Sequence, residues 1–214
     1  MELKAVQGLK GQVRGDVILP DDARYDEARK VYNAMIDKRP VAVVRCAGVA
    51  DVIAAVKAAR ADGLSVAVRG GGHSVPGFGT ADGALVVDLG RMRGVWVDPA
   101  AKTARAEGGA TWGDFNHATH AFGLATTGGI ISTTGIAGLT LGGGIGYLTR
   151  GAGLSLDNLL SADVVLADGS FVTASANKNK DLFWALRGGG GNFGVVTSLE
   201  YQLHPLDQIY GGPI

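Results

Sequence analysis

The chain has 214 residues, enough for one large domain or two small ones, and 20 Lys+Arg balance 20 Asp+Glu. With no net charge and no basic stripe it lacks the footprint of a nucleic-acid binder, and no apolar run approaches the roughly 18 residues of a membrane helix. Glycine is the exception, at 35 residues: the absence of a Gly-X-Y period excludes collagen, and the Val, Leu, Ile and Ala around the glycines exclude a flexible linker.

The glycines cluster at 70–72, 128–129, 135–153 and 188–194, as expected of several loops that approach one ligand or one another. Met1–Lys4 is followed by charges, so no secretory signal is read. Residues 1–20 are mixed, broken by Gly11, Gly15 and Pro20. Asp21–Ile36 reads as a helix, with Tyr25, Ala28, Val31, Tyr32 and Met35 at helical spacing and assigned to the core. Val41–Cys46 is a strand. Its Cys46, the single cysteine, reads as a small buried apolar residue, and a reducing, cytoplasmic setting fits. A helix from Asp51 to Ala61 has Val52, Ala55, Val56 and Ala59 on one face, and Asp62-Gly63 stops it. Strand 64–68 completes a βαβ unit.

That strand runs into Arg69-Gly70-Gly71-Gly72-His73-Ser74. Glycines let the backbone enter φ > 0 and let a ligand approach the main chain. Consecutive N–H groups in such a turn can form an anion nest, to which Arg69 would add positive charge. The segment is therefore a candidate pyrophosphate cradle carrying one reactive side chain, His73; a plain glycine turn between two strands is the alternative.

Ala84–Leu89 is the next strand, and Val95–Asp98 with Thr103–Glu107 forms a hairpin. Thr111 caps a helix with Asp114 at its N3 position. His117 and His120 on that helix lack a third ligand, so no metal site is assigned. Residues 124–153 read as a long irregular segment, too apolar to be disordered and able to take a flat, poorly charged ligand. Strands at Ala162–Leu166 and Phe171–Ala174 flank an Asp168-Gly169 turn; a short helix at Asp181–Leu186 and a strand at Val195–Leu203 follow. Gly189, Gly191 and Gly194 match G-x-G-x-x-G, but a helix precedes and a strand follows, the reverse of the dinucleotide fingerprint. Gly72-His73-Ser74-Val75-Pro76 lacks the last glycine of a nucleophile elbow.

Five motifs in order carry a family resemblance. They are Arg69–Ser74, Gly135–Leu148, Gly153-Leu154-x-x-Asp157-Asn158, Asp181–Gly188 with its Phe-Trp pair, and Gly191-Asn192-Phe193-Gly194-Val195-Val196-Thr197. Over roughly residues 30–205 the chain resembles FAD-linked oxidases of the berberine-bridge-enzyme-like and 6-hydroxy-D-nicotine-oxidase-like group, in the vanillyl-alcohol-oxidase superfamily. The resemblance implies an α+β, PCMH-type FAD-binding domain of two subdomains, about 1–100 and 101–205. Residues 206–214 would be the start of a missing substrate domain.

It also implies an extended FAD between the subdomains. Arg69, Gly70, Gly71, Gly72, His73 and Ser74 would wrap the pyrophosphate, with His73 bonded to the flavin 8α-methyl carbon. Gly128, Gly129, Thr133, Thr134, Gly135, Gly138, Leu139, Gly142, Gly143, Gly146 and Tyr147 would lie along the isoalloxazine and its phosphates. Gly194, Val195 and Val196 would meet the adenine end or the ribityl chain, and Gly77, Asp157 and Asn158 join the cofactor-binding set. Relatives often attach flavin a second time, through a Cys-Pro-Thr-x-Gly cysteine; Ile131 stands at that place, so attachment would be through His73 alone. Thr134 would sit near the reactive ring edge, where its size could influence oxygen access.

The implied activity is oxidation of a substrate C–H next to oxygen or nitrogen, by hydride transfer to flavin N5 with dioxygen as acceptor. The substrate of the full-length protein would be a small alcohol, sugar or amine, with no nucleic-acid or membrane partner. No catalytic residue and no metal are assigned. A non-catalytic flavin- or nucleotide-binding module is the alternative, because the substrate domain would be missing, and a nicotinamide-dependent dehydrogenase is disfavoured by the reversed glycine motif.

Overall fold

Strands rich in Val and Ala supply two sheets, with one helix lying between them. The computed structural model describes residues 3–206. Its first part runs α1 (Lys4–Gly8), β1 (Asp16–Ile18), α2 (Tyr25–Ala28), β2 (Ala42–Arg45), α3 (Val49–Ala61), β3 (Val66–Arg69) and β4 (Leu85–Asp88). These strands form a sheet in the order β1-β2-β4-β3, with β2 and β3 both parallel to β4. The expected strand–helix–strand crossover is present, and β4 fills the place between its two strands.

The second part runs β5 (Val95–Asp98), β6 (Thr103–Glu107), α4 (Trp112–His120), β7 (Leu124–Ala125), α5 (Ile136–Leu141), α6 (Thr149–Ala152), β8 (Leu159–Val165), β9 (Phe171–Ser175), α7 (Lys180–Leu186), β10 (Val195–Gln202) and β11 (His204–Pro205). An antiparallel sheet has the order β5-β6-β10-β8-β9, and β11 pairs with β7. The part of the chain expected to open a substrate domain lies, beyond Leu206, outside the described residues. Among the described residues no helix is long and apolar enough to cross a membrane.

The spacing of Val52, Ala55, Val56 and Ala59 gives α3 one apolar face, and all four are buried. They share a core with Leu85 and Val87 of the first sheet and with Val165 and Val195 of the second, so α3 ties the two sheets together. Each fully buried Val or Leu there contributes roughly 1.5–3 kcal/mol. Cys46 lies in the same core, and burial pushes its thiol pKa up, which keeps it inert. The second sheet packs Leu199 and Tyr201 against Trp112 and Phe115 of α4 and Ile136 of α5. The Tyr201 hydroxyl pairs with Thr140 at 2.7 Å, and burial raises its pKa.

Three expectations are corrected. Only Tyr25–Ala28 of the expected helix 21–36 is helical. The carbonyls of Ala28 and Lys30 accept instead from the Arg69 guanidinium, at 2.6 and 3.0 Å, and the chain leaves as a non-helical strap with a turn closed by Ile36 N donating to Asn33 O. Residues 124–153 are not wholly irregular, because α5 and α6 lie within them. Ile136, Ala137, Thr140 and Leu141 are buried at helical spacing, a pattern masked in the sequence by the surrounding glycines. Residues 1–20, read as mixed, hold α1 and β1: the Asp62 carboxylate accepts from the N–H groups of Ala5 and Val6, and Asp51 accepts from Arg14 and Gly15.

The capping box on α4 is formed as the sequence suggests. The Thr111 hydroxyl accepts from Asp114 N, and the Asp114 carboxylate accepts from Thr111 N. Burial works to raise the Asp114 pKa, but the donors on Arg93 and Thr111 outweigh it and hold the carboxyl below the usual range. Thr111→Ala is expected to lower stability by about 1 kcal/mol, read as a shift in the urea unfolding midpoint at unchanged slope.

Candidate functional site

β3 ends at Arg69, and the next residues are the glycine loop. The Arg69 carbonyl accepts from Leu89 N at 2.8 Å, which fixes where the strand stops. From Gly70 to Ser74, none of the five backbone N–H groups has a protein acceptor among the described residues. Gly72 has φ 72°, the left-handed conformation that favours glycine. The result is a run of unpaired donors on a bent main chain, with the His73 side chain at its end.

The second glycine centre comes to this loop directly. A Cβ on Gly71 would lie 2.3 Å from Gly135 N, and a Cβ on Gly135 would lie 2.3 Å from Gly71 N. Neither residue has room for a side chain. Gly135 also precedes α5 as its N-cap and bridges to Thr111, so the contact joins the end of β3 to the base of α4 and α5. Two residues from it on either segment, His73 Nε2 lies 3.0 Å from Thr133 Oγ1.

Arg69 does not face the cradle. Its guanidinium turns inward, donating to Asp88 Oδ2 at 2.8 Å as well as to the two strap carbonyls, and both side chains of the ion pair are buried. The expectation that its charge adds to an anion site is therefore corrected: Asp88 balances that charge, and Arg69 holds the strap. The strap crosses the loop, with Tyr32 N donating to Gly72 O and Asn33 Nδ2 to Val75 O. The Tyr32 ring stacks on His73, with centroids 4.0 Å apart and an interplanar angle of 17°. Tyr32, expected in the core, is 69% exposed, and its helical spacing gives no sign of its place in the site. Gly77, at φ 83°, packs on Ile36 of the same strap.

The other expected residues divide. Gly128 and Gly129 lie on the Trp112 indole, where a Cβ on Gly128 would be 2.3 Å from a ring carbon. Gly146 packs its backbone on Gly128 O. These three shape the loop through packing. Thr133, Thr134, Gly138, Leu139 and Gly142 are at least partly accessible, and Ile130, Ile131, Ile145 and Tyr147 are exposed. Gly143 is buried, at φ 119°. Asp157 is exposed and its Oδ2 accepts from Leu154 N, while Asn158 is buried, its Nδ2 donating to the carbonyls of Ala152 and Leu154 and its Oδ1 meeting His204 Nε2. Both brace the loop, and only Asp157 is also open to solvent.

Gly194, at φ 136°, has no space for a side chain, since a Cβ would lie 2.6 Å from Val165 O. With Val195 it lines a cavity of ≈ 420 Å³, walled also by Val66 and Val68 of β3 and by Val165 and Leu166. Val196 is buried in β10 beside it. The same strand that feeds the glycine loop therefore forms one wall of the cavity. Gly189 to Gly194 lies after α7 and before β10, which establishes the reversed context of that glycine motif.

Residues 40–175 match a family model described as an FAD binding domain. The chain belongs to this FAD-binding family. It is 41% identical over 194 residues to (R)-6-hydroxynicotine oxidase of Paenarthrobacter nicotinovorans, covering 91% of this chain and 42% of that protein. The crystal structure of 6-hydroxy-D-nicotine oxidase from Arthrobacter nicotinovorans superposes with TM-score 0.88 at 40% identity, over 90% of this chain and 43% of that one. Glucooligosaccharide oxidase from Acremonium strictum, described with a 6-S-cysteinyl, 8α-N1-histidyl FAD, gives TM-score 0.87 at 35% identity, over 93% of this chain and 42% of that one. The chain thus spans somewhat under half the length of the relatives it matches. The α+β, PCMH-type FAD-binding fold implied by the resemblance is the fold observed.

The geometry separates glycines that need their lack of a side chain from those that do not. Gly135→Ala is expected to destabilise by about 1–3 kcal/mol, because the Gly71 backbone must move. Gly138, in α5 with nothing within 4 Å of a Cβ, should tolerate alanine or gain up to about 1 kcal/mol. Urea unfolding of the two variants side by side checks the contrast.

Proposed function

We propose that this chain is the FAD-binding part of a flavin-dependent oxidase, with each sheet and its helices forming one subdomain. The observation that carries the reading is the run of five unpaired N–H donors from Gly70 to Ser74, ending beside His73 and pressed against Gly135. Unpaired donors on a glycine bend fit the pyrophosphate of FAD, whose charge they would offset without a cationic side chain. The cavity at Gly194 and Val195 fits the adenine end, and the apolar surface of Ile130, Ile131 and Tyr147 fits the flat isoalloxazine. Thr133, Thr134, Gly138 and Leu139 would lie along that ring.

His73 would bond to the flavin 8α carbon. The Acremonium strictum relative is described with both a cysteinyl and a histidyl linkage. Ile131 supplies no sulfur, so His73 would be the single attachment point here. Bound in this cradle, flavin supplies a two-electron acceptor that takes hydride from a substrate C–H next to oxygen or nitrogen, with dioxygen as the final oxidant. This chain's own residues bind the cofactor, orient its ring and hold one end by a covalent bond. The substrate would be a small molecule of alcohol, sugar or amine type, in keeping with the hydroxynicotine and oligosaccharide named for the relatives.

Reconstitution with FAD followed by acid precipitation tests this directly. The pellet of the wild-type chain is expected to stay yellow, and His73→Ala should release the flavin to the supernatant. Flavin that washes out of the wild-type protein would remove the covalent claim, and failure to take up FAD at all would remove the whole reading.

A further inference from the structure

We propose that Thr133 is the positioning residue that readies His73 for covalent attachment, with Tyr32 bracing the ring; this rests on His73 being the attachment point. Imidazole has two nitrogens, and the hydrogen bond made by one decides which carries the proton. Nε2 lies 3.0 Å from Thr133 Oγ1, while Nδ1 has no protein partner among the described residues. The Thr133 hydroxyl has no other partner among them either, so it is dedicated to this ring. If Nε2–H donates to Thr133, the lone pair is left on Nδ1, where a bond to carbon can form.

The spacing is set by the main chain. Gly71 and Gly135 touch, and His73 and Thr133 are each two residues from that contact, on opposite sides. A Cβ on Gly71 would also come within 3.0 Å of Thr133 O, so the backbone carrying the hydroxyl is itself pressed against the loop carrying the histidine. Tyr32, stacked at 4.0 Å, covers one face of the imidazole and resists its rotation.

Attachment forms one bond, from Nδ1 to the flavin 8α carbon. A C–H bond at that carbon breaks and its proton leaves to solvent. The Nε2 proton leaves past the Thr133 hydroxyl to water. Two electrons pass to dioxygen, which takes up two protons to become hydrogen peroxide. Thr133 is unchanged at the end, as a positioning residue must be.

Thr133→Val removes the hydroxyl and keeps the branched shape; Thr133→Ser restores the hydroxyl. Acid-stable flavin is followed in time at saturating FAD, so that affinity drops out of the comparison. Thr133→Val is expected to attach flavin about tenfold more slowly or worse, the size of effect a misplaced reacting group produces, with Thr133→Ser near wild type. Nitrogen NMR of the FAD-free chain gives a second readout: His73 should be the Nε2–H tautomer in wild type and a mixture in Thr133→Val. Attachment by Thr133→Val at the wild-type rate overturns the proposal. If the wild-type chain never forms acid-stable flavin, the attachment reading fails separately. Unchanged His73 nitrogen shifts in Thr133→Val would then overturn the role of Thr133 itself.

Discussion

The contact between Gly71 and Gly135 joins two parts of the chain that are otherwise organised around different sheets. On one side it holds the end of β3, and on the other the turn into α5. Each residue occupies the space where the other's Cβ would be. Any side chain would separate the backbones and carry His73 away from Thr133 at the same time. The contact therefore sets the width of the cradle, the register of the His73–Thr133 pair and the approach of the second glycine segment.

Electrostatics support this arrangement from behind. Arg69 and Asp88 are a buried pair beneath the loop, and Arg69 also holds two carbonyls of the strap. A buried ion pair is weak evidence for net stability, but breaking one leaves an uncompensated charge, at about 3–5 kcal/mol. This favours a structural role over a ligand-facing one, because turning Arg69 toward an anion would give up its bonds to Asp88 and to both strap carbonyls and leave Asp88 with the longer Arg45 contact at 3.6 Å. In the proposed function the cradle would attract the pyrophosphate with backbone dipoles, which the strap and Gly135 hold oriented by fixing the loop on two sides.

Much of the fold was legible because local periodicity and packing agree. The apolar face of α3, the hairpin of β5 and β6, and the Thr111–Asp114 box all follow from short-range pattern. Tyr25, Ala28, Val31, Tyr32 and Met35 have helical spacing, so local sequence predicts a helix where the strap lies. What ends the helix is Arg69, some forty residues away in sequence. Met35 is 90% exposed, so the spacing there does not mark a core. Residue types and order revealed the loops of the site, but not the division of labour within them. Gly128 and Gly129 are explained by the Trp112 ring, and the amide of Asn158 by the backbone it holds. Such partners are set by tertiary packing and leave no mark on local sequence.

If the two glycine segments make one cradle, a ligand that enters it must order both together. Amide hydrogen exchange with and without FAD measures this most directly. The account predicts joint slowing at residues 70–74 and across 133–139, with residues 52–59 of α3 unchanged. Protection confined to one of the two segments, or falling elsewhere while both exchange freely, would contradict it.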